Sequence, residues 1–382
     1  MNKFINSKLQ NNLKILSSKD LRDAYAMPKA IYTSNEILEL EEEHIFKKDW
    51  LCAGTINEIP NKGDYITYEI CKQPILILRN NEDEIKAFSN VCLHRMMPLV
   101  KGKGNKKLFT CPYHAWTYNL DGELKVAKYM DKTNCFKKED LKLPELKCEV
   151  FMGWIYVSLN NKIEPVHKKL SKLYEIASPY NMDKYINIIS EDHEWNTNWK
   201  LLTENFMEGY HLPVAHPKTV GPFINLMNTE FDKKNDSENF TYQFFTKNAN
   251  APVGTAHKDN KSLIGKLRYT SILPTIFPSH MYALAPDHYW YLSLQPDGVG
   301  KVKIRFGAAI APEVLKSQNN PNEFIKKTKQ FLYDVQEEDR YVVEGMFKGA
   351  NSYLSDTGPL SWLERENHEF TKYMARKLAY LD

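Results

Sequence analysis

The chain has 382 residues and a formal net charge of +3 from 51 basic and 48 acidic side chains, with 42% hydrophobic, 26% charged and 12% aromatic residues. Those proportions exclude a disordered or fibrous chain, and so small a net charge at this length gives no sign of a nucleic-acid or anionic-membrane surface. The length exceeds one average domain and points to two, each able to bury its own core.

The opening "MNKFINSKLQNNLKILSSKD" is polar and lacks the apolar core of a secretory signal, and no later stretch approaches the roughly 18 apolar residues that would span a bilayer. The expectation is a cytoplasmic protein with no membrane partner, its six cysteines reduced. Four of them, Cys52, Cys71, Cys135 and Cys148, have no histidine beside them and are expected as small buried or half-buried residues.

A helix is predicted over "SNEILELEEEHIFKKDW", capped by Ser34, with Ile37, Leu40, Ile45 and Phe46 on its apolar side. From about Trp50 to Leu159 the pattern changes to short strand-like runs, "DYITYEI", "PILILR", "IKAFSN" and "GWIYVSL", separated by turn residues. This predicts an all-β domain over 48–159, flanked by a second domain built from 1–47 and 160–382. The lysine runs at Lys101 to Lys107 and Lys168 to Lys172 are read as solvated loops. In the second domain "NNKIEPVHKKLSKLYEIASPYNMDKY" reads as a helix. "TIFPSHMYALAPDHYWYLSLQPDGVGKVKIRFGAAIAPE" reads as a three-strand antiparallel meander, and helical patterns near 321–350 and 361–380 close the chain.

Two Cys/His pairs lie in loops of the β domain, Cys92-x-His94 and Cys111-x-x-His114, with sixteen residues between them. A structural zinc finger takes its ligands as two Cys knuckles or as a Cys pair and a His pair. One Cys and one His from each loop suits instead a [2Fe–2S] cluster with two thiolates on one iron and two neutral imidazoles on the other, which raises its potential. Pro98 and Pro112 stiffen the loops, while Tyr113 and Trp116 are placed to shield the sulfides or to donate to them. A zinc-stabilised binding module is the rival reading, and a visible spectrum separates the two.

A second constellation follows in "NWKLLTENFMEGYHLPVAHP", residues 198 to 217. One helical turn would put Glu208 and His211 on the same face, and a break at Pro213 would let His216 turn toward the same ion. A facial triad for Fe(II) needs a carboxylate as well, with coordination positions left open for O2. In "FLYDVQEEDRYVVEGMF" the residues Phe331, Leu332, Val335, Val342, Val343 and Met346 gather on one helical face with Asp339 near its middle, Glu338 on its margin and Glu337 opposite. A buried Asp needs a partner: a metal, an Arg or a helix cap.

"CLHRMMPL" and "CPYHAWTYNLDGEL" resemble the two halves of a Rieske motif, departing from it at Met96 and Ala115, where glycine is usual. "NWKLLTENFMEGYHLPVAH" and "QEEDRYVVEGMFKGANS" resemble the mononuclear-iron segments of Rieske oxygenase catalytic subunits, so the likeness covers nearly the whole chain in the family's order. The resemblance implies an α+β fold: an all-β Rieske [2Fe–2S] domain on a helix-grip-like catalytic domain with a curved antiparallel sheet and helices. It implies Cys92, His94, Cys111 and His114 as cluster ligands, His211, His216 and Asp339 as ligands of a mononuclear Fe(II), and a role at the reaction centre for Asn205 and Glu208. It further implies a homotrimer in which Glu208 bridges His211 of its own chain to His114 of a neighbour.

With Glu at position 208, where aromatic-ring dioxygenases mostly have Asp, the motif looks like that of the choline, carnitine and glycine-betaine oxygenases. The expected substrate is then a small quaternary ammonium compound, hydroxylated next to nitrogen and demethylated; the alternative is aromatic-ring hydroxylation or O-demethylation on the same machinery. Aromatic faces recognise such cations, and Phe206, Tyr210, Tyr282, Tyr289, Trp290 and Tyr291 are the candidates. Alternation along "DHYWYLSL" sets Trp290 opposite Tyr289 and Tyr291. No nucleotide-binding glycine motif and no plant-type ferredoxin cysteine set is present, so a separate flavin/iron–sulfur reductase using NAD(P)H is expected as partner.

Overall fold

The computed structural model describes residues 2–232, 238–251, 253–354 and 356–381. By contacts it divides into a β unit, Phe46–Lys168, and a larger unit made of Met1–Ile45 and Lys169–Asp382. Among the described residues no helix is long and apolar enough to cross a membrane.

The β unit contains β1 (Leu51–Thr55), β2 (Asp64–Ile70), β3 (Gln73–Arg79), β4 (Ile85–Ser89), β5 (Lys103–Asn105), β6 (Phe109–Thr110), β7 (Thr117–Tyr118), β8 (Leu124–Val126), β9 (Glu145–Phe151) and β10 (Trp154–Ser158). They form one antiparallel sheet in the order β1-β10-β9-β4-β3-β2-β5 and a small sheet β6-β7-β8. β2 and β3 are joined by the two-residue turn Cys71-Lys72, both residues at positive φ, the backbone that matches the twist of a tight hairpin. The unit runs past the last strand signal at Leu159, because Val166 N–H donates to Glu149 and the Trp50 indole to the Glu164 carbonyl, tying 160–168 to the strands. Leu76, Leu78, Phe88, Phe109 and Tyr118 form its core together with Cys92 and Cys111. The two cysteine loops are thus anchored in packed interior. Of the other cysteines Cys52 is buried and Cys71 and Cys148 half-buried, but Cys135 is exposed, since its turn contributes Phe136, not Cys135, to the core.

The larger unit is built on a curled antiparallel sheet of β11 (Ile186–Trp195), β12 (Thr229–Glu230), β13 (Phe240–Thr246), β14 (Thr270–Ile276), β15 (His280–Leu284), β16 (His288–Pro296) and β17 (Val302–Ile310), in the order β11-β17-β16-β15-β14-β13-β12. The expected meander is β15-β16-β17 at its centre. Helices Trp199–Met207, Pro321–Ala350 and Arg365–Leu378 pack on it. All nine residues of Trp199–Met207 are buried. That burial includes ionisable groups: Lys200 Nζ lies 2.6 Å from Glu41 Oε1, the Trp199 indole donates to the same carboxyl group at 2.7 Å, and the Tyr32 hydroxyl donates to Glu204 at 2.9 Å.

Three helical expectations need correction. Ser34 caps its helix by accepting from Ile37 N–H, but the helix passes into a π-helical turn at Glu42–Phe46, whose wider spacing leaves Leu40 half-buried while Glu41 and Ile45 are fully covered. The segment after residue 160 is two short helices, Val166–Lys169 and Ser171–Ala177, not one. On Pro321–Ala350 the buried stripe is Leu332, Val335, Gln336, Asp339 and Val343, while Phe331 and Met346 are exposed. This helix lies mainly against Trp199–Met207 and β11, with the short helices Ala30–Thr33, Leu212–Ala215 and Pro312–Lys316 also touching it.

Candidate metal centres

In the β unit the loop after β4 and the loop between β6 and β7 present the four predicted ligands. Cys92 N–H donates to the Met97 carbonyl and Cys111 N–H to the Trp116 carbonyl, so each loop closes back on itself at its cysteine. Both thiols are buried, whereas both imidazoles are exposed, with their Nδ1 atoms 3.1 Å apart. This donor set, two sheltered thiols and two Nδ1 atoms turned toward one point, fits a cluster with thiolates on the inner iron and neutral imidazoles on the outer one.

Trp116 is buried and stacks on His94 at 4.8 Å, and the exposed Tyr113 packs on His114 at 3.6 Å. Neither donates to a cysteine sulfur. That position belongs to Tyr118, which the sequence reading missed: its hydroxyl accepts from Leu93 N–H at 3.0 Å and lies 3.4 Å from Cys92 Sγ. Burial pushes the Cys92 thiol up, and the Tyr118 hydroxyl works the other way. No periodicity pointed to it, because β7 is two residues long and both are buried. Met96 and Ala115, the two departures from the motif, have φ +57 and +58. Glycine is usual at such sites because a Cβ is strained in the left-handed region.

In the larger unit the helix Trp199–Met207 ends at Met207, and Glu208 is extended. The side chain of Glu208 meets His211 by folding over an irregular turn, not by helical spacing: it accepts from His211 N–H at 3.1 Å and contacts His211 Nδ1 at 2.5 Å. Pro213 does not break a helix; it starts one, as a residue of the first turn of Leu212–Ala215. That short helix carries the chain round to His216.

Asp339 Oδ1 lies 3.1 Å from His216 Nε2 and 3.6 Å from His211 Nε2, and one donor atom from each of the three residues falls within 4.8 Å of the others. Asn205 Nδ2 donates to Asp339 Oδ1 at 2.8 Å, which fixes the carboxylate. Each imidazole keeps Nε2 for the shared point and is held through Nδ1 by a second carboxylate, Glu208 for His211 and Glu338 for His216 at 3.1 Å. Such partners orient a ligand and raise its basicity. Glu338 also accepts from Lys218 N–H and the Thr219 hydroxyl. The sequence had shown it only as a marginal residue beside Asp339.

Burial works against the charge of both His211 and Asp339, yet their proximity wins. The Asp339 and Glu208 carboxylates push His211 up to about 9, while the two imidazoles hold Asp339 down at about 2. A divalent ion would take the place of that proton. Two imidazoles and one carboxylate on one side of a point form a facial set for Fe(II).

The aromatic candidates separate. Phe206 meets Trp290 edge to face at 5.2 Å. Gln243, Leu273, Ala283, Trp290, Ala308 and Ile189 follow one another in register across β13, β14, β15, β16, β17 and β11, hence on one face. Leu273, Ala283 and Trp290 keep partial exposure in the middle of the sheet, so they line open space. Tyr282, Tyr289 and Tyr291 lie on the other face and are buried: Tyr291 packs on His280, and its ring covers Gly307, where a Cβ would stand 2.2 Å from it. Tyr289 stacks on Tyr185, and Tyr210 is 55% exposed.

Fold and donor sets together fit a protein of two iron centres, with a thiolate–imidazole set suited to a cluster and a His–His–Asp set suited to a single iron. The chain belongs to the ring hydroxylating alpha subunit (catalytic domain) family, which matches residues 182–380, more than half its length; residues 49–137 match the Rieske [2Fe-2S] domain. Its cofactors are accordingly a Rieske-type [2Fe–2S] cluster and a mononuclear iron.

Among relatives, the carnitine monooxygenase oxygenase subunit of Acinetobacter baumannii is 36% identical over 197 residues, 51% of this chain and 53% of that protein. The glycine betaine monooxygenase oxygenase subunit of Pseudomonas aeruginosa is 34% identical over 205 residues, 53% of this chain and 47% of that protein. The chain therefore spans about half the length of the curated relatives it matches. The crystal structure of the quaternary ammonium Rieske monooxygenase CntA with L-carnitine shares the fold, with TM-score 0.79 and 23% identity over 97% of this chain and 98% of that one.

Proposed function

We propose that this chain is the oxygenase component of a two-component system that hydroxylates a small quaternary ammonium compound of the carnitine, glycine-betaine or choline kind at an N-methyl group or a neighbouring carbon. O2 and two electrons from a separate NAD(P)H-dependent flavin/iron–sulfur reductase are consumed with two protons. One oxygen atom enters the C–H bond and the other leaves as water; a hydroxylated N-methyl collapses to formaldehyde and the demethylated amine.

The observation that carries the reading is the arrangement around His211, His216 and Asp339, with Glu208 on the first imidazole. When bound there, iron supplies the site at which O2 is activated. Cys92, Cys111, His94 and His114 would hold the cluster through which electrons arrive. Asn205 keeps the Asp339 carboxylate turned to the metal, and Glu208 and Glu338, each on an Nδ1, keep each Nε2 aimed at it. In a homotrimer Glu208 would also reach His114 of a neighbouring chain, linking electron arrival to the iron's imidazole.

A quaternary nitrogen offers no hydrogen bond and is held by aromatic faces. Phe206 and Trp290 supply two such faces beside the apolar Leu273 and Ala283. The same apolar row would accept a flat arene, which is the second reading. Incubation with a reductase and a panel of quaternary amines and aromatic acids separates them: formaldehyde with the demethylated amine is expected, a diol or phenol would favour the arene, and oxygen uptake uncoupled from product with every amine would refute the quaternary-ammonium reading.

A further inference from the structure

From Ile85 to Leu120 the chain has no acidic residue, although Glu84 and Asp121 stand at either end of that stretch. Within it lie both cluster loops and six cations: Lys86, Arg95, Lys101, Lys103, Lys106 and Lys107. The β unit as a whole, residues 46–168, holds 20 of the 51 basic and 15 of the 48 acidic side chains, so it is +5 where the remainder is −2. The near-neutral total conceals this asymmetry.

The lysines that sequence alone assigned to a solvated loop form the ribbon that leaves the first cluster loop and returns to the second. Leu99 and Val100 are pinned to Asn90 at the base of the first loop, and the chain then runs out along the edge strand β5, paired with β2. Lys101 is four residues past Met97, whose carbonyl accepts from Cys92 N–H, and Lys107 is four residues before Cys111. Four residues extend at most about 14 Å, so chain connectivity alone keeps both ends of the ribbon close to the ligand loops.

Residues 101–108 are all exposed, and among the described residues no carboxylate lies within ion-pair distance of Lys101, Lys103, Lys106 or Lys107. Arg95 lies over the Tyr113 ring, also without a carboxylate. The Gly104 Cα faces the Tyr65 ring so closely that a Cβ would stand 3.2 Å from it, which holds the ribbon down as a defined surface. Lysine on an edge strand also discourages strand-to-strand pairing, but Lys101 and Lys107 lie beyond the paired residues and are not needed for that.

We propose that Lys101, Lys103, Lys106 and Lys107, with Arg95, form the landing surface for an acidic electron-donating protein that reduces the cluster. This rests on the oxygenase reading and adds where the donor binds and what its face must be. Unpaired charges beside a redox centre steer an oppositely charged partner and raise its rate of encounter, an effect that falls with salt. The donor's iron–sulfur or flavin centre would give up one electron and the cluster that Cys92, His94, Cys111 and His114 would hold would gain it; no bond is broken.

The test uses the full cluster-loaded chain and a plant-type [2Fe–2S] ferredoxin, an acidic carrier, as probe. Binding is measured at 20, 100 and 300 mM NaCl for the wild type, for Lys103→Glu/Lys106→Glu/Lys107→Glu, and for the charge-matched control Lys316→Glu/Lys326→Glu/Lys348→Glu. At 20 mM salt the ribbon variant should bind at least about tenfold more weakly and the control within about twofold, with the visible cluster band unchanged in all three. Wild-type binding should weaken steeply with salt. Equal affinities for the two variants, a salt-independent affinity, or no binding to the wild type would each overturn the landing surface while leaving the oxygenase reading intact. Failure of that reading would appear separately, as a protein lacking the cluster band or any turnover.

Discussion

Glu338 offers the sharpest perturbation, because all three of its partners are donors. With a metal on Nε2, the Nδ1 of His216 carries its proton toward Glu338 at 3.1 Å; Lys218 N–H donates to the other oxygen at 3.1 Å, and the Thr219 hydroxyl donates as well. Glu338→Gln keeps size and shape but has one oxygen and one amide nitrogen, and the nitrogen cannot accept. Whichever way the amide turns, either His216 or Lys218 faces a second donor. His216 is 1% exposed and Glu338 15%, so water does little to replace the lost acceptor. Removing the partner of a ligating imidazole weakens metal binding about 10- to 100-fold, or about 1.4 to 2.8 kcal/mol. Competition of ferrous iron against a chromogenic chelator reads this directly, with the cluster's visible band as an internal control in the same sample. Iron affinity within twofold of wild type would refute the reasoning, showing that Asp339 and the packing of Leu212–Ala215 suffice to hold His216.

Glu208→Gln should keep the cluster and still fill the iron site when ferrous iron is saturating, yet abolish coupled turnover, checked by metal content against formaldehyde release under those conditions; full activity would sink the assigned role. Ala115→Gly removes a Cβ from a left-handed backbone and should raise stability by about 1 kcal/mol, read as a higher temperature for loss of the cluster band; a lower one would show that the Ala115 methyl packs usefully. Glu204 carries a pH dependence: burial pushes its carboxyl up to about 8 from an ordinary 4.5, with Tyr32 and Lys200 opposing. A folded value above the unfolded one means that the contribution to stability is complete below about pH 4.5 and is lost as pH rises through 8. Denaturant midpoints at pH 5.5 and 8.5 should therefore converge in Glu204→Gln and differ more in the wild type, and equal gaps in both would contradict it.

The sequence by itself determined which residues are candidate ligands and the two-unit plan. Spacing of Cys and His within a loop is a local property, and strand or helix periodicity is set by a few neighbouring residues. Asp339 stood out the same way, as an acid inside an apolar stripe. Tertiary structure alone decided what supports those ligands. Glu338 and Asn205 act across 122 and 134 residues of chain, and Tyr118 reaches Cys92 across 26; no periodicity encodes such contacts. The helix Trp199–Met207 stops just before Glu208, beside Gly209, so that Glu208 meets His211 across a turn and not along a helix. Among the aromatics, alternation separated Trp290 from Tyr289 and Tyr291, but only packing against Phe206 decided which face has open space beside it. The lysine ribbon shows the same division: its charge is written in the sequence, while its position between two ligand loops depends on the pairing of β5 with β2.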